Sequence, residues 1–145
     1  MKLGIEHPVL SVGFAAGARA ELAAAVSNAG GFGVLGASGM RPEALRAEVE
    51  RTRELTDRPF GINLIIATDD DEDTDFFRAQ IAAAAGAGAA AVVLFWGDPA
   101  PLVDDAHSAG MHVLIQVGSV VEAESAAAAG VDAVIAQGVD RKSVV

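Results

Sequence analysis

Ser119-Val120-Val121-Glu122-Ala123-Glu124-Ser125-Ala126-Ala127-Ala128-Ala129-Gly130-Val131-Asp132-Ala133-Val134-Ile135-Ala136 contains one complete structural period of this chain. An N-capping serine opens an alanine-rich amphipathic stretch, Val120 to Ala129, that predicts a helix. Gly130 then supplies the left-handed residue that ends such a helix, and Ala133 to Ala136 is a short apolar run of the kind that forms a covered strand.

The same period recurs along the sequence. Apolar runs at Val9 to Val12, Phe32 to Leu35, Phe60 to Ile65, Ala91 to Phe95, Val113 to Val117 and Ala133 to Ala136 predict six strands. Between them, Ala18 to Asn28, Pro42 to Leu55, Asp75 to Ala85, Pro99 to Ala109 and Val120 to Ala129 predict five helices. Helix ends fall at Ala29-Gly30-Gly31, Gly86-Ala87-Gly88, Ala109-Gly110 and Ala129-Gly130, while Asp98-Pro99, Ser119 and Arg41-Pro42 mark starts. Strands this uniformly apolar belong to a parallel sheet covered on both faces. The class is therefore α/β. An open doubly wound sheet and a (β/α) barrel both satisfy the pattern, and both place ligand chemistry at the carboxyl ends of the strands.

Composition narrows the function. A chain of 145 residues with 52% hydrophobic side chains suits a single domain with a substantial core. Its formal charge of −10 and pI near 4.5 argue against nucleic acid and against an anionic membrane surface. The absence of cysteine rules out disulfides, thiolate metal ligands and a cysteine nucleophile, and fits a cytoplasmic location. Met1 to Pro8 lacks the apolar core of a signal peptide. Ile81 to Leu94, only 14 residues of mostly Ala and Gly, falls short of the ~20 needed to span a bilayer.

Gly31-Phe32-Gly33-Val34-Leu35-Gly36 matches G-x-G-x-x-G by letter, but a helix precedes it and its glycines run through the strand. That context fails the dinucleotide fingerprint and points to close helix-on-sheet packing. Thr68 to Asp75 is strongly acidic but lacks the turn glycine and distal glutamate of a calcium loop, so it reads as an exposed loop with Thr74 or Asp75 capping the next helix. His7 and His112 lie at amino-terminal strand ends and His107 within a helix, which leaves structural or surface roles. No Ser-His-Asp set can be assembled.

Three amides fall where ligand chemistry is expected. Asn63 interrupts the apolar run of the third predicted strand, Gln116 stands near the end of the fifth, and Gln137 follows the sixth. An uncharged group that both donates and accepts suits the edge of a heteroaromatic ring such as flavin or purine; each amide could equally serve neighbouring backbone. Phe95-Trp96-Gly97-Asp98 adds an aromatic wall, making Trp96 a candidate substrate-pocket residue.

With these residues in view, the chain resembles the nitronate monooxygenase family, also called 2-nitropropane dioxygenases, from about Pro8 to Asp140. The resemblance is carried by Glu21 to Gly36, by Arg58-Pro59-Phe60-Gly61-Ile62-Asn63, and by Gly130 to Gly138. The first block is shared with FMN-binding enoyl reductases. The resemblance implies a TIM-type barrel, here incomplete with about six strands and five to six helices, with strands seven and eight outside residues 1–145. It implies FMN as cofactor, and oxidation of an alkyl nitronate or nitroalkane by oxygen to a carbonyl compound and nitrite.

Carried over residue by residue, the family pattern assigns flavin contacts to Asn63 and Gln137, and backbone contact to the segment holding Gly13, Phe14 and Ala15. Gln116 and Gly138 join this candidate cofactor set. Gly13-Phe14 replaces the family's usual Pro-Met, which alters the pocket. The family's histidine base, in its Gln-Gly-Val-Glu-Ala-Gly-Gly-His run, has no counterpart after Gln137-Gly138-Val139-Asp140, so no catalytic residue is assigned. The expectation for these 145 residues alone is weak or no turnover and self-association through exposed sheet edges. A catalytically silent binding module and an enoyl-thioester reductase are the alternatives.

Overall fold

A computed structural model describes residues 3–14, 17–67 and 71–137. The order is α1 (Ala20–Asn28), β1 (Gly33–Gly36), α2 (Pro42–Leu55), β2 (Phe60–Ile65), α3 (Asp71–Gly86), β3 (Ala91–Phe95), α4 (Ala100–Ser108), β4 (His112–Val117), α5 (Val120–Ala128) and β5 (Ala133–Ala136). All strand pairs are parallel, and the sheet order is β1-β2-β3-β4-β5. A sheet that winds on without reversal decides between the two architectures left open by the sequence, because a doubly wound sheet reverses direction at its switch point.

The two faces of the sheet confirm the winding. Leu35, Phe60, Ile62, Leu64, Val92, Leu94, Val113 and Ile115 pack with Ala23, Leu45, Val49, Ile81, Leu102, Val103 and Ala126 from all five helices. The other face gathers Phe32, Val34, Ala91, Val93 and Leu114, joined by Leu3, Ile5, Leu10 and Ile135 but, among the described residues, by no helix. Helices on one side and a helix-free inner side are the layers of a (β/α) barrel, here an incomplete one.

The predicted glycine stops are all left-handed: φ is +88° at Gly30, +103° at Gly88, +80° at Gly110 and +88° at Gly130. Ser119 caps α5, its Oγ accepting from the Glu122 amide at 3.2 Å, while the Glu122 carboxylate reaches back to accept from Gly118 N at 2.7 Å. Gly33 sits so close under α1 that a Cβ there would lie 1.9 Å from the Ala23 carbonyl oxygen. The glycines of the G-x-G-x-x-G match thus serve packing.

Two expectations change. The first predicted strand, Val9 to Val12, is a single bridge, Leu10 to Phe32, tied by Ser11 N to Phe32 O (2.9 Å) and Phe32 N to Val9 O (2.8 Å). With β1 as its one neighbour among the described residues, it does not extend into a ladder. The acidic run is the larger correction, for α3 already begins at Asp71. Residues 68–70 of that predicted loop lie outside the described residues. Acidic side chains are favoured in a helix's first turns, where the macrodipole is positive, and Arg78 draws on the run through Asp75 at 2.9 Å while also holding Asp105 of α4 at 2.7 Å.

Candidate active site

Parallel pairing aligns the inner-facing residues in tiers. Gly36, Asn63, Val93, Leu114 and Ala133 share one tier, and Ile65, Phe95, Gln116 and Ile135 share the next toward the carboxyl ends. Strand alternation puts Gln137 on the same side, two residues beyond Ile135, with its N–H donating to Val117 O at 2.8 Å. The three amides therefore rise along one inner wall.

Two cavities open there. One of about 130 Å³ is lined by Leu10, Ser11, Val12, Gly13, Val34, Asn63, Val93, Gln116 and Ile135. A second of about 250 Å³ is lined by Phe95, Trp96, Gln116, Val117, Gly118, Glu122 and Gln137. Gln116 belongs to both and joins them. Asn63 Nδ2 donates to the Val93 carbonyl at 3.0 Å, so this amide does serve the neighbouring backbone while bordering the cavity. Gly13 must be small, since a Cβ would meet Asn63 Cβ at 2.5 Å and Leu35 O at 2.8 Å. Phe14 lies apart from these linings, its ring over Gly17. Ala15 and Gly138 lie outside the described residues.

Trp96 stands at the rim, 61% exposed, with its ring stacked on Phe95 at a centroid distance of 4.2 Å. Its φ of +52° is unusual for a bulky side chain. Gly97 follows at φ +105°, where a Cβ would be 2.5 Å from Ile66 O. The absence of a side chain lets the Trp96 loop pack against the end of β2, where Ile66 N donates to Phe95 O at 2.9 Å.

Several supporting residues escaped the sequence reading. Gln80 of α3 is fully buried; its Nε2 donates to the carbonyls of Ala37 (3.1 Å) and Met40 (2.7 Å), clamping the loop after β1. That loop's Ala37 N donates to Asn63 O at 3.0 Å, and Ser38 Oγ accepts from Ile65 N at 2.9 Å. Ser11 Oγ accepts from Val34 N at 2.9 Å, fixing the segment that leads to Gly13. The signal for Gln80 was its place in the Phe77, Gln80, Ile81, Ala84 stripe of α3.

The histidines lie elsewhere, as predicted. At the amino-terminal end of the sheet, Asp132 Oδ2 accepts from Val113 N at 2.7 Å and lies 3.0 Å from His107 Nε2, while His112 Nδ1 is 3.6 Å from Oδ1. Burial opposes the Asp132 charge, but the Val113 amide, then His107 and His112, outweigh it and hold its pKa below the usual value. A carboxyl so shifted stabilises the fold above its unfolded pKa, and that contribution is lost as pH falls through the folded value. Relative to wild type, Asp132→Asn is expected to lose about 1 kcal/mol at neutral pH, a difference that closes below about pH 4, read from urea midpoints.

Among the described residues no group of three His, Cys, Asp or Glu could hold a metal, and no helix is long and apolar enough to cross a membrane. The three amides line cavities on the inner face of the sheet. Residues 1–141 match the family model described as nitronate monooxygenase. The chain belongs to the nitronate monooxygenase family. A nitronate monooxygenase of Paraburkholderia phytofirmans is 30% identical over 171 residues, covering 95% of this chain and 47% of that protein. A Mycobacterium tuberculosis (3aS,4S,5R,7aS)-5-hydroxy-7a-methyl-1-oxo-octahydro-1H-indene-4-carboxyl-CoA dehydrogenase is 34% identical, covering 94% of this chain and 37% of that protein. FabK from Thermotoga maritima superposes with a TM-score of 0.82 at 34% identity, over 92% of this chain and 41% of that one. The nitroalkane oxidase of Streptomyces ansochromogenes superposes at 0.81 with 27% identity, over 94% of this chain and 47% of its own. This chain thus spans less than half the length of each of these proteins.

Proposed function

We propose that this member of the nitronate monooxygenase family contributes the flavin-edge wall of an FMN-dependent site that oxidises alkyl nitronates with molecular oxygen to a carbonyl compound and nitrite. The observation that supports this most is the rise of Asn63, Gln116 and Gln137 along one inner face, beneath the Gly13 backbone. The redox step is chemistry that bound flavin supplies. The protein's part is to bind and orient. With Asn63 Nδ2 held by Val93, its oxygen is the acceptor offered to a ring N–H, and Gln116 and Gln137 are amides that can both donate and accept. Gly13 lets backbone approach the ring, and Trp96 with Phe95 walls the side where a small substrate would enter. A nitronate arrives already deprotonated, so this reading requires no base from these residues.

The test is a titration with FMN followed through the visible flavin bands, paired with filter retention. Retained, perturbed flavin is expected, with weak or no oxygen uptake on pre-formed nitronate from these 145 residues alone. Flavin that passes the filter unperturbed would overturn the cofactor assignment. An enoyl-thioester reductase is the second reading, favoured by the FabK superposition and the acyl-CoA relative. It predicts nicotinamide consumption with a thioester in place of nitronate-dependent oxygen uptake.

The outer edge of β5 is unpaired among the described residues, with Val134 exposed, and Val9 and Val12 are exposed at the opposite edge. Uncharged parallel edges invite pairing. Sedimentation velocity is expected to show concentration-dependent association; a single monomeric boundary across concentrations would exclude it.

A further inference from the structure

A third cavity, about 350 Å³, adjoins the mouth and is lined by Asp98 and Pro99 ahead of α4 and by Glu122, Ser125 and Ala126 of α5. Its walls are Trp96, Pro99, Ile115, Val117 and Ala126, and its polar groups include the Asp98 and Glu122 carboxylates and Ser125. The volume suits a small ligand. No lysine or arginine lines it. Two helix starts ordinarily attract an anion, but here their amides are already engaged by the chain's own acceptors. Asp98 Oδ1 accepts from Ala100 N at 3.0 Å, Ser119 Oγ from Glu122 N at 3.2 Å, and Glu122 Oε2 from Gly118 N at 2.7 Å. What remains for a ligand is carboxylate lone pairs, a hydroxyl, the Gln116 amide, aliphatic surface and an accessible indole.

From this lining we infer that the outer cavity is a subsite for an alkylammonium group, with the cationic head held between Trp96 and the Asp98 and Glu122 carboxylates and the apolar body against Ile115, Val117 and Ala126. An indole face attracts a cation by its quadrupole, and the two carboxylates add direct charge attraction. The same acidic walls repel phosphate-bearing arms, so the subsite disfavours a nucleotide-linked thioester at this position. Trp96, Gln116, Val117 and Glu122 border both this cavity and the mouth, which places an ammonium-bearing arm within reach of the proposed reaction site. The binding claim does not depend on flavin or on the nitronate reading.

Trp96 is the chain's single tryptophan and borders both this cavity and the mouth, so its fluorescence reports ligands at either, and Asp98, which lines only this cavity of the two, separates them. In flavin-free protein, n-butylammonium and tetramethylammonium are expected to give a saturable change in emission, while n-butanol, butyrate and inorganic phosphate give none or a far weaker one. Asp98→Asn with Glu122→Gln should weaken ammonium binding roughly two- to fivefold per charge removed. Both amides can still accept the backbone bonds, and circular dichroism checks that the variant folds. Equal binding of butanol and butylammonium, preference for butyrate or phosphate, or no saturation with either ammonium would each overturn the assignment. These comparisons in wild-type protein decide it even where the double variant does not fold.

Discussion

Gly33→Ala is expected to destabilise the fold by about 3 kcal/mol or more and to yield largely insoluble protein. The added methyl would sit 1.9 Å from the Ala23 carbonyl oxygen and 2.6 Å from its carbon, both backbone atoms of α1. No rotamer change can relieve a clash with backbone. The helix must move off β1, and moving it disturbs Ser27, whose Oγ accepts from Gly33 N at 3.0 Å and donates to Pro59 O at 2.9 Å. One methyl therefore breaks the α1 packing and a buried bridge between β1 and the start of β2. Urea unfolding followed by circular dichroism checks this, with Gly39→Ala as a control. At Gly39 a Cβ meets open space, and the cost comes only from a φ of +75°, on the order of 1 kcal/mol. Equal effects at the two sites would refute the close-packing account of the G-x-G-x-x-G match.

The contrast shows which features were legible in sequence. Glycine stops and alternating apolar runs are local, and four helix ends and all five strands of the sheet fell within a few residues of their predicted places. Strand order is not local. Nothing within Phe60 to Ile65 states that its neighbours are β1 and β3, so winding without reversal had to come from structure. The acidic run was misread at its helical end because like-charge repulsion was weighed and the helix dipole with its Arg78 partner was not. Asn63, Gln116 and Trp96 were legible as cavity-lining residues because Asn63 breaks an apolar strand and the other two are polar or aromatic near strand ends. Gln80 and Asp132 were not, for their partners lie far off in sequence: Ala37 and Met40 for one, His107 and Val113 for the other.

Gly13→Ala should separate cofactor binding from folding. A Cβ at Gly13 would press on Asn63 Cβ at 2.5 Å, Leu35 O at 2.8 Å and Val34 Cγ1 at 3.0 Å, and of these residues Asn63 and Val34 line the inner cavity. Unlike α1, the segment carrying the methyl can yield here, because Val9 to Phe14 is tied to the sheet upstream of Gly13, by one bridge and the Ser11 Oγ bond to Val34 N, and leaves Val12 and Phe14 exposed. Swinging that segment outward loses few buried contacts, so the expected stability loss is under about 1 kcal/mol. The same movement withdraws the backbone proposed to lie against the flavin and disturbs the Asn63 amide. FMN affinity is expected to fall by about tenfold or more, which is about 1.4 kcal/mol. Asn63→Leu, which keeps the side chain's bulk and removes its hydrogen-bonding groups, should lower affinity comparably while leaving Gly13 in place. Filter retention and flavin absorbance measure affinity, and urea unfolding of the flavin-free proteins measures stability. If Gly13→Ala unfolds the protein as severely as Gly33→Ala, Gly13 is a packing glycine. If both Gly13→Ala and Asn63→Leu bind FMN like wild type, the cofactor does not lie against this wall.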